Sequence, residues 1–188
     1  MAMAIRPPDP HLTDGVVTLR PWGEPGDVAA ITAACNDRAI AEFLDQIPSP
    51  YTEEDARAYI EICEIGWRQG SPTNFAIIEA GAAVGAIGMR WLDGLDAGTA
   101  EVGYWMAPDA RGRGLCSRAL RLASRWVLEE ARALRLQLRA DEQNLASNKV
   151  AQNAGFTREG VLRSSRYNAR LGRRVDFVMY SLLPGELS

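Results

Sequence analysis

Residues that carry redox, metal or acid–base chemistry are scarce in this sequence of 188 residues. Its three cysteines, Cys35, Cys63 and Cys116, are odd in number and far apart, which fits neither a disulfide framework nor a metal site. Its one histidine, His11, lies in a polar N-terminal segment, which disfavours a catalytic role. We therefore expect reduced thiols and no metal centre.

An excess of positive charge and long apolar runs are absent as well. The formal net charge is -3, so the overall balance does not attract a nucleic-acid backbone or an anionic membrane. No apolar run approaches the roughly 20 residues that a membrane-spanning helix needs, and the N-terminus lacks the pattern of a secretory signal. These absences predict a cytoplasmic protein that binds neither nucleic acid nor membrane.

The composition that remains is that of an ordinary globular protein. Hydrophobic residues make up 47% of the chain and charged residues 24%, which excludes a disordered or fibrous class. The length suits one domain with a single core. We expect that domain to span residues 1–188, with residues 1–13 as a flexible N-terminal lead.

Apolar periodicity and turn residues predict strands alternating with helices. The connection across Gly81 is too short for a crossover helix, so its two strands should form an antiparallel hairpin. Asp27 and Asn144 are predicted N-caps, and Thr52 with Asp55 forms a predicted capping box. The predicted strands cover 16–20, 74–80, 83–92, 99–107, 136–141, 156–169 and 173–183, and the predicted helices cover 27–35, 51–70, 114 onward and 144–155. This order indicates an α/β domain of the α+β type, whose mixed, mostly antiparallel sheet has about seven strands flanked by helices.

The segment PDARGRGLCSRAL, residues 108–120, links a predicted strand to a predicted helix. Backbone N–H groups at such a junction point to one place, where the helix dipole also favours negative charge. Gly112 and Gly114 would let a pyrophosphate approach the backbone, and Arg111 and Arg113 would add positive charge. The pattern predicts a phosphate ester as ligand, with an ordinary turn as the alternative.

Two nucleotide-binding patterns do not fit this segment. A P-loop requires a lysine directly after its last glycine, and no lysine follows either glycine here. A Rossmann fingerprint belongs next to the first strand, whereas this segment lies past mid-chain, after a hairpin and a further strand. Both nucleotide-binding folds are therefore disfavoured.

The stretch from Arg111 to Cys116 resembles the R/Q-x-x-G-x-G/A loop of the GNAT superfamily of acetyl-CoA-dependent N-acetyltransferases. Cys116 stands there in place of the last glycine or alanine. The series LRPW, VGYWMAPDARGRG, NLASNKVAQNAGFTREGVLR and RVDFVMYSLL is similar to the branch named for the ribosomal-protein-alanine N-acetyltransferases RimJ and RimL. The resemblance spans about residues 14–184, and it implies a GNAT fold and acetyl transfer to a primary amine.

The resemblance also implies which residues bind acetyl-CoA. Loop amides from Gly112 to Cys116 would hold the pyrophosphate, and Ser117 is able to add a hydroxyl. Strand-end residues Met106 and Ala107 would pair with the pantetheine arm, which Asn144 would also contact. The nucleotide end would meet Asn148 and Lys149, for which a solvated helix surface is the alternative. The complete predicted set is Met106, Ala107, Arg111, Gly112, Arg113, Gly114, Leu115, Cys116, Ser117, Asn144, Asn148 and Lys149.

Two residues are implied for proton transfer. Glu101 matches the general-base glutamate of GNAT histone acetyltransferases, and a structural edge-strand carboxylate is the alternative. In many family members a tyrosine acts as the general acid at the position where this chain has Ala151. Ser147, one turn earlier, is therefore the predicted acid, and helix capping is the alternative role of this serine. Cys116 is disfavoured as a nucleophile because no histidine lies nearby in sequence.

The acceptor is predicted to be a protein N-terminal α-amino group. Alternatives keep the chemistry with another acyl-CoA, such as succinyl-CoA, or with a small-molecule amine such as a polyamine or an antibiotic. A further alternative is a non-catalytic, CoA-binding regulatory module. Candidate residues for the acceptor pocket are Trp22, Phe43, Trp91 and Tyr167, and for each of them a place in the hydrophobic core is the alternative. The two long β segments that close the chain are a candidate homodimer interface.

Overall fold

The part of the chain that the structure describes folds around one eight-stranded sheet that is flanked by five helices. The computed structural model describes residues 6–9, 11–44, 47–71, 73–92 and 98–187. Its strands are β1 (Leu12–Thr13), β2 (Thr18–Arg20), β3 (Thr73–Glu79), β4 (Ala82–Trp91), β5 (Thr99–Met106), β6 (Arg135–Asp141), β7 (Thr157–Asn168) and β8 (Arg173–Leu182). Its helices are α1 (Asp27–Cys35), α2 (Arg38–Phe43), α3 (Glu53–Gln69), α4 (Leu115–Glu129) and α5 (Leu145–Asn153). A 3-10 turn, Pro108–Ala110, follows β5.

The sheet has the order β1-β2-β3-β4-β5-β6-β8-β7, and every pair is antiparallel except β5 with β6. The predicted α/β class and mostly antiparallel sheet are therefore confirmed. The eighth strand, β1, falls within the lead predicted for residues 1–13, of which residues 1–5 and 10 lie outside the described residues. Strands β5 and β6 share register only up to Glu101 opposite Gln137, so a gap opens between residues 102–106 and 138–141.

Local capping fixes where the helices begin. Thr52 and Asp55 form the predicted capping box of α3. At α1 the prediction is wrong, because Gly26 is the N-cap and Asp27 is the first helical residue. Asp27 instead accepts two hydrogen bonds of 2.8 Å from Arg20 and is almost fully buried. Helix α2 was not predicted, because a six-residue helix is too short to establish an apolar period.

Two hydrophobic clusters lie on opposite faces of the sheet. Residues that alternate along β3 and β4 separate them, with Phe75 and Ile87 on the α4 face and Ala76 and Ala86 on the face of α1 and α3. Trp126 of α4 packs edge-on against Phe75, with 5.4 Å between ring centroids. The two clusters hold β4 and β5 rigidly beside the gap.

Candidate membrane-spanning helices and metal-binding clusters are absent from the described ranges. None of the helices there combines the length and the apolar character that crossing a bilayer would take. Likewise, the described side chains include no group of three or more His, Cys, Asp or Glu arranged to hold a metal ion.

Candidate active site

The edge of β5 that faces the gap carries backbone groups without a partner strand. Ala107 N donates to Val84 O at 2.9 Å, so the odd-numbered groups of β5 point toward β4. The register between β4 and β5 is regular, so the backbone N–H and C=O groups of the even-numbered residues of β5 point away from β4. The N–H groups of Tyr104 and Met106 therefore face the gap, where an extended ligand can add to the edge as a strand does.

Beyond β5, six consecutive backbone N–H groups, from Gly112 to Ser117, have no hydrogen-bond acceptor in the described part of the chain. Gly112 and Gly114 have φ angles of 72° and 77°, a left-handed backbone that side chains other than glycine rarely adopt. Helix α4 has no side-chain cap at its N-terminus. Six free donors at a helix N-terminus form a site for an anion such as a diphosphate.

A cavity of about 450 Å³ connects these amides with the gap. One wall is formed by Ala39, Ile40 and Phe43 of α2, the helix that sequence reasoning missed. Most of the residues predicted for cofactor binding lie in the remaining wall, namely Met106, Arg111, Gly112, Gly114, Leu115, Cys116, Ser117, Asn144 and Lys149. Their shared position agrees with the expected binding of one long ligand.

The two loop arginines predicted to add charge are paired with carboxylates. Arg111 donates to Met106 O at 3.0 Å and to Asp37 at 2.6 Å, which ties the end of β5 to the start of α2. Its hydrogen bond lowers the pKa of Asp37. Arg113 makes a two-pronged contact of 2.8 and 2.6 Å with Glu79 and does not line the cavity. The cationic charge of this loop is therefore largely balanced, which leaves its backbone amides as the main anion donors.

The side chain of Asn148, which was predicted to contact the cofactor, makes hydrogen bonds within the protein through both its nitrogen and its oxygen. Its side-chain nitrogen donates to the main-chain oxygens of Asp141 and Asn144, at 2.9 and 2.8 Å. Its side-chain oxygen accepts from Tyr180 at 2.9 Å. These bonds hold the turn between β6 and α5, whereas Lys149 beside it is exposed and lines the cavity.

A smaller cavity of about 150 Å³ lies on the other side of the gap. Charged side chains in its wall come from β6 and β7, and they are Arg139, Asp141 and Arg166. Five residues line both cavities, namely Phe43, Leu44, Tyr104, Asn144 and Ser147. The shared wall marks where a ligand of the larger cavity meets a ligand of the smaller one.

Ser147 and Tyr104 are hydrogen-bonded to each other at the junction, which is the wall that the two cavities share. The tyrosine hydroxyl lies 3.0 Å from Ser147 Oγ and donates to the serine main-chain oxygen at 3.1 Å. Burial raises the pKa of Tyr104 well above its usual value, so the phenol stays protonated at neutral pH. The backbone N–H of Ser147 donates to Asn144 Oδ1 at 3.0 Å, the predicted N-cap bond of α5, which leaves the serine hydroxyl available.

Tyr104 is the residue at this junction that sequence reasoning missed. Tyr104 shares one face of β5 with Val102 and Met106, and no functional role was predicted for it. The available signal was a hydroxyl on an otherwise apolar face, because buried tyrosine hydroxyls need a hydrogen-bond partner. That partner lies 43 residues further along the chain.

Glu101, the predicted base, lies on β5 just before the gap and is held by three donors. Arg139 contacts its two oxygens at 2.7 and 2.8 Å, Arg90 donates at 2.8 Å and Gln137 at 2.9 Å. Burial by itself would raise the pKa of Glu101, but these hydrogen bonds outweigh it and lower that pKa. Glu101 lines neither cavity.

The cysteines are free and buried. Burial raises the pKa of the Cys116 thiol to about 12 and those of Cys35 and Cys63 to about 11. A thiol with so high a pKa is almost fully protonated at neutral pH and is a poor nucleophile. Cys116 therefore contributes its backbone amide and its apolar surface to the cavity wall.

Only one of the four aromatic residues suggested for an acceptor pocket lies at the junction. Phe43 lines both cavities. The suggestion is wrong for Trp22 and Trp91, which are buried in the two hydrophobic clusters. Tyr167 is 55% exposed on β7 and lines neither cavity.

Comparison with known proteins identifies this arrangement. Residues 17–157 match the profile of the acetyltransferase (GNAT) domain family, three quarters of the chain. An uncharacterized N-acetyltransferase, p20 of Bacillus licheniformis, is 28% identical over 173 residues, which are 90% of this chain and 94% of p20. The ribosomal-protein-serine acetyltransferase of Escherichia coli is 28% identical over 116 residues, 62% of this chain and 64% of the relative.

A solved structure agrees in fold. RimJ of Mycobacterium smegmatis, determined in complex with CoA-disulfide, superposes with a TM-score of 0.81 at 21% sequence identity. The match covers 94% of this chain and 86% of RimJ. The two proteins therefore share their overall fold over nearly the full length of this chain.

Proposed function

The chain belongs to the GNAT acetyltransferase family and is an N-acetyltransferase; on this premise we propose that it transfers an acetyl group from acetyl-CoA to the α-amino group of a protein N-terminus. The six free amides from Gly112 to Ser117 carry this proposal. They suit the diphosphate of coenzyme A, and the cavity leads from them to the gap beside β5. Acetyl-CoA supplies the acyl group activated as a thioester.

The gap edge of β5 provides the next part of the mechanism. The N–H groups of Tyr104 and Met106 are free to pair with the amide groups of the pantetheine arm and to donate to the acyl carbonyl oxygen. A backbone donor placed where negative charge develops contributes about 3 to 4 kcal/mol to rate acceleration. These amides are fixed by the β4–β5 ladder, so they need no rearrangement during the reaction.

Ser147 and Tyr104 form the proposed proton donor. The serine hydroxyl protonates the departing thiolate. The Tyr104 hydroxyl, whose proton turns from the Ser147 main-chain oxygen at 3.1 Å to Ser147 Oγ at 3.0 Å, then restores the serine proton. In this order the Tyr104 phenol, which burial keeps protonated, is the source of the proton that returns to the serine. The pair would replace the tyrosine that many family members carry at the position of Ala151.

The α-amino acceptor is proposed from the relatives. The Escherichia coli relative is named for acetylation of a serine of a ribosomal protein. The smaller cavity, about 150 Å³, suits the first residue of a peptide rather than a large rigid antibiotic. Cytoplasmic location and a homodimer stay predictions.

The test is a thiol-release assay with acetyl-CoA and a panel of amines. The panel holds peptides beginning with Ser, Ala or Met, the same peptides with blocked N-termini, a polyamine and an aminoglycoside. We expect release with the free peptides and none with the blocked ones. Release with the small amines alone would redirect the proposal to those acceptors. Calorimetric binding of CoA without release, also with succinyl-CoA, would favour the non-catalytic binding module.

A further inference from the structure

Asp141, the last residue of β6, is a carboxylate in the wall of the smaller cavity. The residue is 6% exposed, and it shares this wall with Tyr104 and Ser147. It is the one carboxylate among the described residues that line either cavity. A carboxylate that is nearly buried, in contact with a reaction chamber and beside a proton donor, has the position that a general base requires.

Local bonds fix the position of this carboxylate. Asp141 Oδ1 accepts the backbone N–H of Gln143 at 2.8 Å. Its main-chain oxygen accepts from Asn144 N at 2.8 Å and from Asn148 Nδ2 at 2.9 Å. For Oδ2, no partner occurs within the ranges that the structure describes, and this oxygen is not among the fully enclosed polar atoms. One oxygen therefore anchors the side chain and the other is free to accept a proton.

Glu101 has the opposite arrangement. Both of its oxygens accept hydrogen bonds from guanidinium groups, and Oε2 also accepts from Gln137. A carboxylate that is held by two cations keeps its charge and gives up affinity for a proton. Glu101 also lies outside both cavity walls, so an amine in the smaller cavity meets Asp141 first.

We propose that Asp141 Oδ2 takes the proton that the acceptor amine loses as it attacks, and that Glu101 is a positioning residue that holds Arg139. The inference rests on the proposed acetyl transfer. In this step the C–N bond forms and the thioester C–S bond breaks, with its electron pair moving to sulfur. The nitrogen proton goes to Asp141, and Ser147 supplies the proton that makes the thiol. Tyr104 restores the serine proton, and exchange with solvent then returns Tyr104 and Asp141 to their starting state.

The wall of the smaller cavity also carries positively charged and other polar side chains. Arg139 of β6 and Arg166 of β7 line it, at 5.8 and 5.6 Å from the centroid of the Phe177 ring of β8. The other polar groups facing the cavity are Tyr104 of β5 and, on α5 and its cap, Asn144 and Ser147, while the residues of α2 and its C-cap there are Phe43 and Leu44. Asp141 is the one negatively charged group beside these two guanidinium groups in the described part of this wall. Asp141 is therefore the group in this wall that can take a proton from a bound amine.

The test compares Asp141→Asn with Glu101→Gln. Both changes remove a charge and keep the shape, and Asn can still accept the Gln143 N–H. We expect Asp141→Asn to lower kcat about 100-fold, with CoA affinity unchanged and with the residual rate rising steadily from about pH 6 to about pH 9. Glu101→Gln should change kcat only several-fold and keep the wild-type pH profile. Glu142→Gln, at the exposed neighbouring position, should behave as wild type.

A binding measurement gives an independent readout. Calorimetry in two buffers counts the protons released when the accepted amine binds to the CoA-loaded protein. Because Asn cannot share the amine proton, Asp141→Asn should release more protons than the wild type, up to about one more at neutral pH. An unchanged proton count, or a kcat of Asp141→Asn close to that of the wild type, would overturn the assignment. Absence of turnover by the wild-type protein with every amine would overturn the proposed function as well, so the two failures are distinguishable.

Discussion

The two sides of the gap between β5 and β6 use different chemical groups. On the cofactor side, the groups that would hold acetyl-CoA are the backbone amides of Tyr104, Met106 and residues 112–117. On the acceptor side, the chemistry belongs to side chains, above all Asp141, Ser147 and Tyr104. Backbone donors depend on φ and ψ and tolerate many side chains, whereas side-chain chemistry is lost with one substitution. One side can therefore stay constant across a family while the other changes with the acceptor.

The largest expected effect is a loss of kcat when the proton donor of the acceptor side is removed. Ser147→Ala should lower kcat about 100-fold and leave CoA affinity unchanged, because the thiolate would leave without a proton from the hydroxyl. Tyr104→Phe should have a smaller effect of the same kind, since water can restore the serine proton. Steady-state kinetics and calorimetry check both. Unchanged turnover of Ser147→Ala would leave helix capping as the role of this serine.

A second substitution perturbs only the cofactor side, where the proposed binding groups are backbone amides. Gly114→Val should weaken CoA binding about 30-fold, because a β-branched residue at a φ of 77° costs about 2 kcal/mol of strain and displaces the amides. The matched control is Gly81→Val, in the β3–β4 turn, where φ is 83° and the space for a Cβ is equally open. Calorimetry should show weaker binding for the first variant only. Equal CoA affinity of the two variants would contradict the assignment of the amides.

The smallest effect concerns stability on the acceptor side. The pKa of Glu101 is lower in the folded protein than the ordinary value of 4.5, so its stabilising contribution is present above pH 4.5 and is lost as the pH falls through the folded pKa. Glu101→Gln should therefore lower the free energy of unfolding by about 1 kcal/mol at neutral pH. Urea titrations should show that the difference from wild type shrinks toward pH 3, whereas a constant difference would exclude an ionic origin.

The cofactor side was largely predictable because its signals are local in sequence. Gly112 and Gly114 mark positive φ directly, and the Thr52–Asp55 capping box and the Asn144 cap depend on residues three positions apart. Hydrophobic alternation placed β3 through β6 to within about two residues. Signals of this kind need no knowledge of the tertiary structure.

The acceptor side was less predictable because its contacts join distant segments. Tyr104 meets Ser147 only because β5 and β6 diverge, and that divergence is a property of the sheet and not of either strand. Asp141 appeared as the last position of an alternating strand, without a motif to distinguish it. Glu101 shows the converse: its sequence position matches a known base, but the arginines that surround it come from β4 and β6.

The most direct test of the central claim is to incubate the protein with acetyl-CoA and a peptide that has a free N-terminal serine and one internal lysine, and to locate the acetyl group by tandem mass spectrometry. The account predicts one acetyl group on the α-nitrogen and none on the lysine, with product lost in Ser147→Ala. Acetylation of the lysine alone, or an unmodified peptide despite bound acetyl-CoA, would contradict it.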